Sequence, residues 1–447
     1  VEKYDLIVIG AGPGGYEAAI KASALGHSVL LIEKDRLGGT CANKGCIPTK
    51  SLLHCAKAYA AASSSQELGV EVDKAFFNLQ KAMAWKEQAV ESVGKGVELL
   101  LKNAGVQVLL DAAACLDAHH VQVAGRIIEA DFLILATGSE PARPPIPGSD
   151  GPNVITSDEA LVMELLPQSI AIIGGGVIGI ELASFFSLIG VEVSVIEMLD
   201  EILPMCDREL AKLVRRGLDK VSFNLGCKVT QIDSEGVQFT DSKQKQRRVD
   251  SQLVLMSIGR RPVTKGLEAL GLETARGYIA VDSHMRTRLS NVFAIGDVNG
   301  KSMLAHSASA MAEVAVSSIF GSEAMSFDPI SVPWAVYSHI EAAGCGPTED
   351  QMKSQMRKCL CASVPMRSNG RVLAELSKRA VGSAKMICDM DGTILGIHIV
   401  GPYASELIWG ASVLISSRVN VKAIRSAVFS HPSVSEVILD CARAIEC

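Results

Sequence analysis

The sequence has no long block of one charge: 43 Lys and Arg stand against 49 Asp and Glu, for a net charge of −6. A basic footprint for nucleic acid is therefore excluded. Nor is there an apolar run long enough to span a bilayer. The longest uncharged stretch, Leu165–Ile180, carries a Pro and four Gly and falls short of the ~18 apolar residues a spanning helix needs. No charged n-region, apolar h-region or Arg/Ser-rich presequence stands ahead of the strand pattern Tyr4–Ile9. The expectation is a cytoplasmic chain, or one in an organelle matrix after removal of a presequence. Cysteine is sparse, twelve in 447 residues, far from disulfide-scaffold density, which predicts mostly reduced core thiols. His119-His120 has no Cys or His at a ligand spacing, so no metal site is expected. The absence of a G-x-S-x-G elbow removes serine hydrolysis.

What is present is a repeat. Gly10, Gly12, Gly15, Gly26 and Glu33 recur as Gly174, Gly176, Gly179, Gly190 and Glu197, at a constant offset of 164. Each copy reads as an apolar β run (Leu6–Ile9; Ile170–Ile173), a Gly-rich turn, a helix of small and apolar residues, and a second β run ending in the acid. That is a βαβ unit. A closing strand also recurs: Asp131–Gly138 followed by Ser139-Glu140-Pro141, and Gln252–Gly259 followed by Arg260-Arg261-Pro262. An insertion, 34–130, separates the first acid from its closing strand and contains a Cys-rich turn and a helical pattern over 78–103. Further on, 286–297 reads as strand and 303–320 as Ala/Ser-rich helix. From 331, short β runs (385–389, 394–400) mix with helices (404–416, 421–427). The length predicts roughly three domains, and the pattern changes place boundaries near 147, 267 and 330.

Gly10-Ala11-Gly12-Pro13-Gly14-Gly15 fits G-x-G-x-x-G. In that pattern one Gly makes the tight turn, one lets backbone approach a pyrophosphate, and one lets helix pack on strand. The helix N-terminus adds N–H donors and the positive end of its dipole. Two copies with correct flanks predict two dinucleotide sites. Glu33 and Glu197 stand where a carboxylate accepts from both hydroxyls of an adenosine ribose and repels a 2′-phosphate, which favours NAD over NADP.

Five residues after Glu33 begins Gly38-Gly39-Thr40-Cys41-Ala42-Asn43-Lys44-Gly45-Cys46-Ile47-Pro48-Thr49-Lys50. With this run the chain resembles, over nearly its whole length, the pyridine nucleotide-disulfide oxidoreductases, and most of all their members that oxidise dihydrolipoyl groups. The resemblance implies an α/β fold with two Rossmann-like dinucleotide-binding domains, 1–147 for FAD and 148–267 for NAD. A central segment, 268–330, would complete the FAD site, and an α+β domain, 331–447, would form a homodimer. FAD, bound tightly but not covalently, would be held by Gly10, Gly12, Gly14, Gly15, Glu33, Lys34, Gly39, Thr40, Lys50, Ala113 and Ser139. Asp297, ending Phe293-Ala294-Ile295-Gly296-Asp297, would hold its ribityl chain or phosphate, and Met303, Ala305 and His306 would pass the flavin ring. NAD would lie on Gly174, Gly176, Gly179, Glu197, Val229 and Gly259.

The same resemblance makes Cys41 the thiol that exchanges with substrate and Cys46 the one against the flavin, with Lys50 and Glu181 as an ion pair beside it. His431, oriented by Glu436, would reach across the dimer to deprotonate a dihydrolipoyl thiol, since only thiolate attacks a disulfide. The lipoyl arm would come from another chain, a lipoylated acyltransferase or the carrier protein of glycine cleavage. A glutathione-type reductase would carry Arg in place of Glu197, and an NADH oxidase or diaphorase would not need both cysteines with His431. A scaffold role in an acyltransfer complex stays open. Ala42 and Lys44 replace the apolar residues usual between the cysteines, and Ile340 replaces a Pro after His339. Lys44 reads as a solvated loop lysine, Cys359 and Cys361 as core or sheet thiols facing one side, and Cys441 and Cys447 as free helix thiols.

Overall fold

In the computed structural model, which describes residues 2–321 and 325–446, both glycine-rich copies are strand–turn–helix–strand units. The first runs Glu2–Ile9, Pro13–Ala24, Val29–Glu33, and the second Ser169–Ile173, Val177–Leu188, Glu192–Ile196. Their strands pair in parallel. Parallel sheets are covered on both faces, so the strands are near-continuous apolar runs. Leu6, Ile7 and Val8, like Ala171 and Ile172, are fully buried.

The chain divides into two compact units, each assembled from three stretches. One contains residues up to Ser51, Gln80–Ala142 and Gly259–Pro329. Its sheet runs in the order Gln107–Leu110, Val29–Glu33, Glu2–Ile9, Arg126–Leu135, His120–Val123, Ala113–Cys115. The long strand Arg126–Leu135 changes neighbour along its length: its start pairs antiparallel with His120–Val123 and its end parallel with Val292–Ala294. That last pairing brings a segment from far down the chain to the edge of the first glycine turn. The helix Leu79–Asn103 lies within the insertion, as its pattern predicts.

The other unit contains Leu52–Leu79, Arg143–Ile258 and the chain from Ile330 on. Its parallel sheet has the order Val221–Asn224, Glu192–Ile196, Ser169–Ile173, Leu253–Met256, Val154–Thr156. A separate antiparallel sheet follows the order Trp334–Val336, Ala342–Cys345, Ile394–Val400, Ser383–Cys388, Leu360–Pro365. The helices Ala404–Ser416 and Glu436–Ala444 contribute Ile408, Ala411, Val437 and Leu439 to its core. Each large apolar side chain so buried contributes roughly 1.5–3 kcal/mol. Cys441 is one of these core residues, with its thiol donating to the Ala384 carbonyl at 3.4 Å. Cys447 lies outside the described residues.

Three local expectations change. The run 286–297 is not one strand: only Val292–Ala294 forms a strand, and Arg286 bridges antiparallel to Phe293. Thr287 is the cause, because its hydroxyl accepts the Leu289 N–H at 3.1 Å and donates to the Val292 carbonyl at 2.8 Å, folding the run back. The Cys-rich segment is not a turn but two helices, Gly39–Lys44 and Cys46–Ser63. Pro48 falls in the first turn of the second, where its missing N–H would have had no helical partner. Finally, Cys359 and Cys361 do face one side, but they lie outside the core. Along Leu360–Pro365, Ala362 points inward while Cys361, Ser363 and Pro365 are exposed.

Candidate functional site

The two glycine turns repeat down to single hydrogen bonds. Gly10 and Gly174 have φ of +103° and +109°, a backbone that favours glycine, and each donates to the carbonyl of the strand beside it, Ile32 at 2.7 Å and Ile196 at 2.9 Å. The helices that follow begin at Gly12 and Gly176 without any side-chain cap, and a Cβ at either glycine would meet nothing within 4 Å. Uncapped N–H groups beside open space are what a pyrophosphate needs. Glu33 accepts from the Ala11 N–H at 2.7 Å and the Asp35 N–H at 2.9 Å. Glu197 accepts from the Gly175 N–H at 2.6 Å and the Leu199 N–H at 2.7 Å, the same contacts 164 residues later. A carboxylate has about four acceptor positions, so each acid is locked in place with capacity left for ribose hydroxyls. Both turns fit a dinucleotide. Gly14 serves packing instead, for the position its Cβ would take is crowded by Ala308 and Ile295. Lys34 is exposed beside Glu33.

The cysteine helices are seated on the first turn. Gly38 donates its N–H to the Ala11 carbonyl at 2.9 Å, and Gly39 lies so close to Gly12 that a Cβ on it would be 2.6 Å from the Gly12 Cα. Asn43 completes the anchor with its amide, donating to the carbonyls of Leu37 at 3.0 Å and Gly39 at 2.9 Å. Its amide role could have been anticipated only from the helix register that the sequence hid. Cys41 and Cys46 are not joined in a disulfide here. The Cys46 thiol hydrogen-bonds Cys41 and, together with burial, holds the Cys41 thiol far above its ordinary value, while the Lys50 ammonium pulls the other way. Lys50 sits one turn into the helix that Cys46 opens. Lys44 pairs with Asp35 at 2.6 Å, so the cation acting on the thiol is Lys50. Thr40 is half-buried between these anchors.

A second polar group forms where the two closing strands pair, Ser139–Pro141 against Arg260–Pro262. Ser139 donates its hydroxyl to Asp297 Oδ2 at 2.5 Å. The Arg260 guanidinium donates to that hydroxyl at 2.7 Å and to the Ser139 carbonyl at 2.8 Å, with Asp297 4.0 Å away. Arg260 was missed as a site residue, although its place in the repeat opposite Ser139 was the available signal. It leaves one Asp297 oxygen, Oδ1, for a ligand. Ala305 and His306 open the helix Ala305–Phe320, and half-exposed Met303 receives the Tyr278 hydroxyl at 3.8 Å. Ala113 begins the strand Ala113–Cys115.

In the other unit Glu181 is 3% exposed within the helix after the second turn, and its Oε1 accepts the Tyr337 N–H at 2.9 Å. One turn on, the Ser184 hydroxyl accepts the His339 N–H at 2.7 Å. These two bonds fix the strand end 336–339 to the helix. Ile340 then covers Gly217, filling the space a side chain there would need. Gly179 packs closely on Gly174, Val229 is half-buried opposite Phe239, and Gly259, with φ of +108°, borders open space. His431 Nδ1 lies 3.0 Å from Glu436 Oε1, and Glu436 Oε2 accepts the Ser433 N–H at 2.9 Å. Those bonds, the Ser433 N–H first and then the imidazole, hold the Glu436 carboxyl below its ordinary range. The imidazole itself is 79% exposed.

The profile of the pyridine nucleotide-disulphide oxidoreductases matches residues 4–312, and that of their dimerisation domain matches 332–442. Dihydrolipoyl dehydrogenase 2 of Haloarcula marismortui is 36% identical over 98% of this chain and 96% of its own length. The dihydrolipoyl dehydrogenase of Bacillus subtilis is 36% identical over 99% and 98%. Among solved structures, the HOCl-induced flavoprotein disulfide reductase RclA from Escherichia coli superposes with a TM-score of 0.86 at 26% identity, over 99% of this chain and 100% of its own. The chain thus belongs to the pyridine nucleotide-disulphide oxidoreductases, flavoprotein oxidoreductases that work with FAD and NAD(H).

Proposed function

We propose that the chain is a dihydrolipoyl dehydrogenase, oxidising protein-bound dihydrolipoyl groups and reducing NAD+. The observation that carries this reading is a thiol pair hydrogen-bonded to itself and seated on the first glycine turn, in a chain whose second turn carries a ribose acid instead of a phosphate-binding Arg. Full-length similarity to dihydrolipoyl dehydrogenases supports it. FAD would be held by the first turn, Glu33 and the Asp297–Ser139–Arg260 group, and NAD by the second turn and Glu197. When bound, FAD supplies the two-electron link between the dithiol and the nicotinamide.

The chain's own residues perform the thiol chemistry. His431 of the partner subunit takes the proton from a dihydrolipoyl thiol, and Glu436 steadies the imidazolium. The resulting thiolate attacks Cys41 of the Cys41–Cys46 disulfide; the S–S bond breaks, and its electron pair leaves on Cys46. The second dihydrolipoyl thiol then displaces Cys41, closing the lipoyl disulfide and leaving both cysteines reduced. Lys50 stabilises negative charge on the pair, opposing the burial and thiol hydrogen bond that favour the proton. The lipoyl arm is supplied by an acyltransferase or a glycine-cleavage carrier protein, and the active species is a homodimer.

The likeness to RclA favours a second, wider reading, a disulfide reductase with another electron partner. Anaerobic titration of the FAD-loaded protein separates the two. Dihydrolipoamide is expected to produce a long-wavelength thiolate-to-flavin band and then NADH on addition of NAD+, whereas reduced glutathione produces neither. A response to glutathione alone, or no response to dihydrolipoamide, rejects the assignment.

A further inference from the structure

The thiol chemistry above leaves one sulfur pair unused. Cys359 and Cys361 lie in the run Met356-Arg357-Lys358-Cys359-Leu360-Cys361, entering the strand Leu360–Pro365 at the edge of the C-terminal sheet. Residues two apart on extended backbone share a face, and here the sulfurs are 3.6 Å from each other. Core packing does not explain them. Cys345, Cys388 and Cys441 of the same unit are buried, whereas Cys359 is half-buried and Cys361 exposed. We propose that Cys359 and Cys361 form a binding site for copper(I), a soft monovalent cation, separate from the redox pair.

Geometry and donor type argue for this ion. Thiolate and thioether sulfur select copper(I) over harder cations, and Met356, 93% exposed three residues earlier, adds a third soft sulfur to the same segment. Structural zinc needs four ligands, and among the described residues no group of three or more His, Cys, Asp or Glu could hold a metal. With a metal–sulfur bond of the order of the zinc–thiolate distance, about 2.3 Å, two sulfurs in linear coordination lie at most ~4.6 Å apart. The pair at 3.6 Å reaches that by small side-chain rotations on an open surface.

A disulfide fits less well. Two steps of extended strand separate the Cα atoms by about 6.6–6.8 Å, at the upper limit for a disulfide. Closing it would also pull Leu360 and Cys361 from their pairing with Cys388 and Ile387. The balanced step is Cu+ plus two thiols giving a two-coordinate bis-thiolate and two protons. The product carries one negative charge, next to the exposed cations Arg357 and Lys358.

The test uses FAD-loaded protein carrying Cys41→Ser and Cys46→Ser, so that the redox pair cannot bind the ion. Copper(I) is titrated anaerobically against bicinchoninate. One equivalent is expected to be retained with a near-ultraviolet thiolate band, and adding Cys359→Ser and Cys361→Ser is expected to abolish both. In unsubstituted holoenzyme, copper(I) should protect Cys359 and Cys361 from alkylation, read by peptide mass. Retention of the equivalent by the fourfold variant overturns the site, as does absence of protection. Zinc(II) held by the same two cysteines while copper(I) is lost to bicinchoninate overturns the choice of ion. Loss of 2 Da in air with no copper bound shows a disulfide instead.

Discussion

Glu197 has two duties at once, and they predict different penalties. Its carboxylate holds the Gly175 and Leu199 N–H groups, and a carboxylate there would also accept the ribose hydroxyls of NAD. Glu197→Arg exchanges those acceptors for a donor suited to a 2′-phosphate, so the ratio of NADH to NADPH use should fall at least about tenfold, ~1.4 kcal/mol. The substitution also leaves the part-buried Gly175 N–H without its acceptor, at a cost of about 1–3 kcal/mol, so the melting temperature should fall as well. Glu197→Gln keeps an acceptor and should retain most of the stability. Steady-state kinetics with both nucleotides check this; an unsubstituted protein that prefers NADPH would refute the role. Cys46 gives a cleaner separation. Cys46→Ser should keep FAD and NADH-driven dye reduction while losing dihydrolipoamide turnover, and normal turnover would show that Cys46 is not the flavin-side thiol.

Between elements, the ion group around Lys385 ties strand, helix and loop together. The Lys385 ammonium, 4% exposed, sits 2.6 Å from Glu349, 3.0 Å from Asp207 and 3.3 Å from Glu209. Asp207 caps the helix Arg208–Gly217, and Lys385 belongs to the strand Ser383–Cys388. Burial works against the charged lysine, but the hydrogen bonds it donates to Glu349 and Asp207 outweigh it and raise its pKa; bonds donated by Lys353 and then Lys385 lower that of Glu349. A raised lysine stabilises fully below its unfolded value and loses that contribution only as pH climbs through the folded one. A lowered carboxylate stabilises above its unfolded value and loses this as pH falls through the folded one. The group is therefore at full strength near neutrality and fails first below the ordinary carboxylate range. Lys385→Met should cost about 3–5 kcal/mol at pH 7, because it strands buried carboxylate, and the deficit should shrink in acid. Thermal denaturation at pH 7 and pH 4 measures both. None of this was legible beforehand, since residues 207, 349 and 385 share no local pattern. The glycine repeat was legible because a βαβ unit forces its glycines and acid to fixed spacings. The sequence of the helices Gly39–Lys44 and Cys46–Ser63 reads as a turn because Gly38, Gly39 and Gly45 punctuate so short a stretch. Cys359 and Cys361 show the converse limit: period-2 spacing placed both on one face, but whether that face was core depended on which neighbours covered it.

Over the whole molecule, one component of the thiol chemistry stands apart from the rest in sequence. Cys41 and Cys46 belong to the first glycine-turn unit, and His431 to the unit that carries the dimerisation domain. The imidazole is held by Glu436 yet 79% exposed, a group oriented and still available to another molecule. A two-fold interface is isologous, so whatever one subunit lends its partner it also receives. The shared-site reading can be tested by mixing Cys46→Ser chains with His431→Ala chains after reversible denaturation. Each parent dimer has a lesion at every site. In the hybrid, one site combines both lesions, while the other joins intact Cys46 of one chain with intact His431 of its partner. With random pairing, hybrids make up about half the dimers and carry one good site each, so activity near one quarter of the unsubstituted level should return. If each site were built within a single chain, every site in every dimer would keep one lesion, and mixing would restore nothing even though the cysteine chemistry were right.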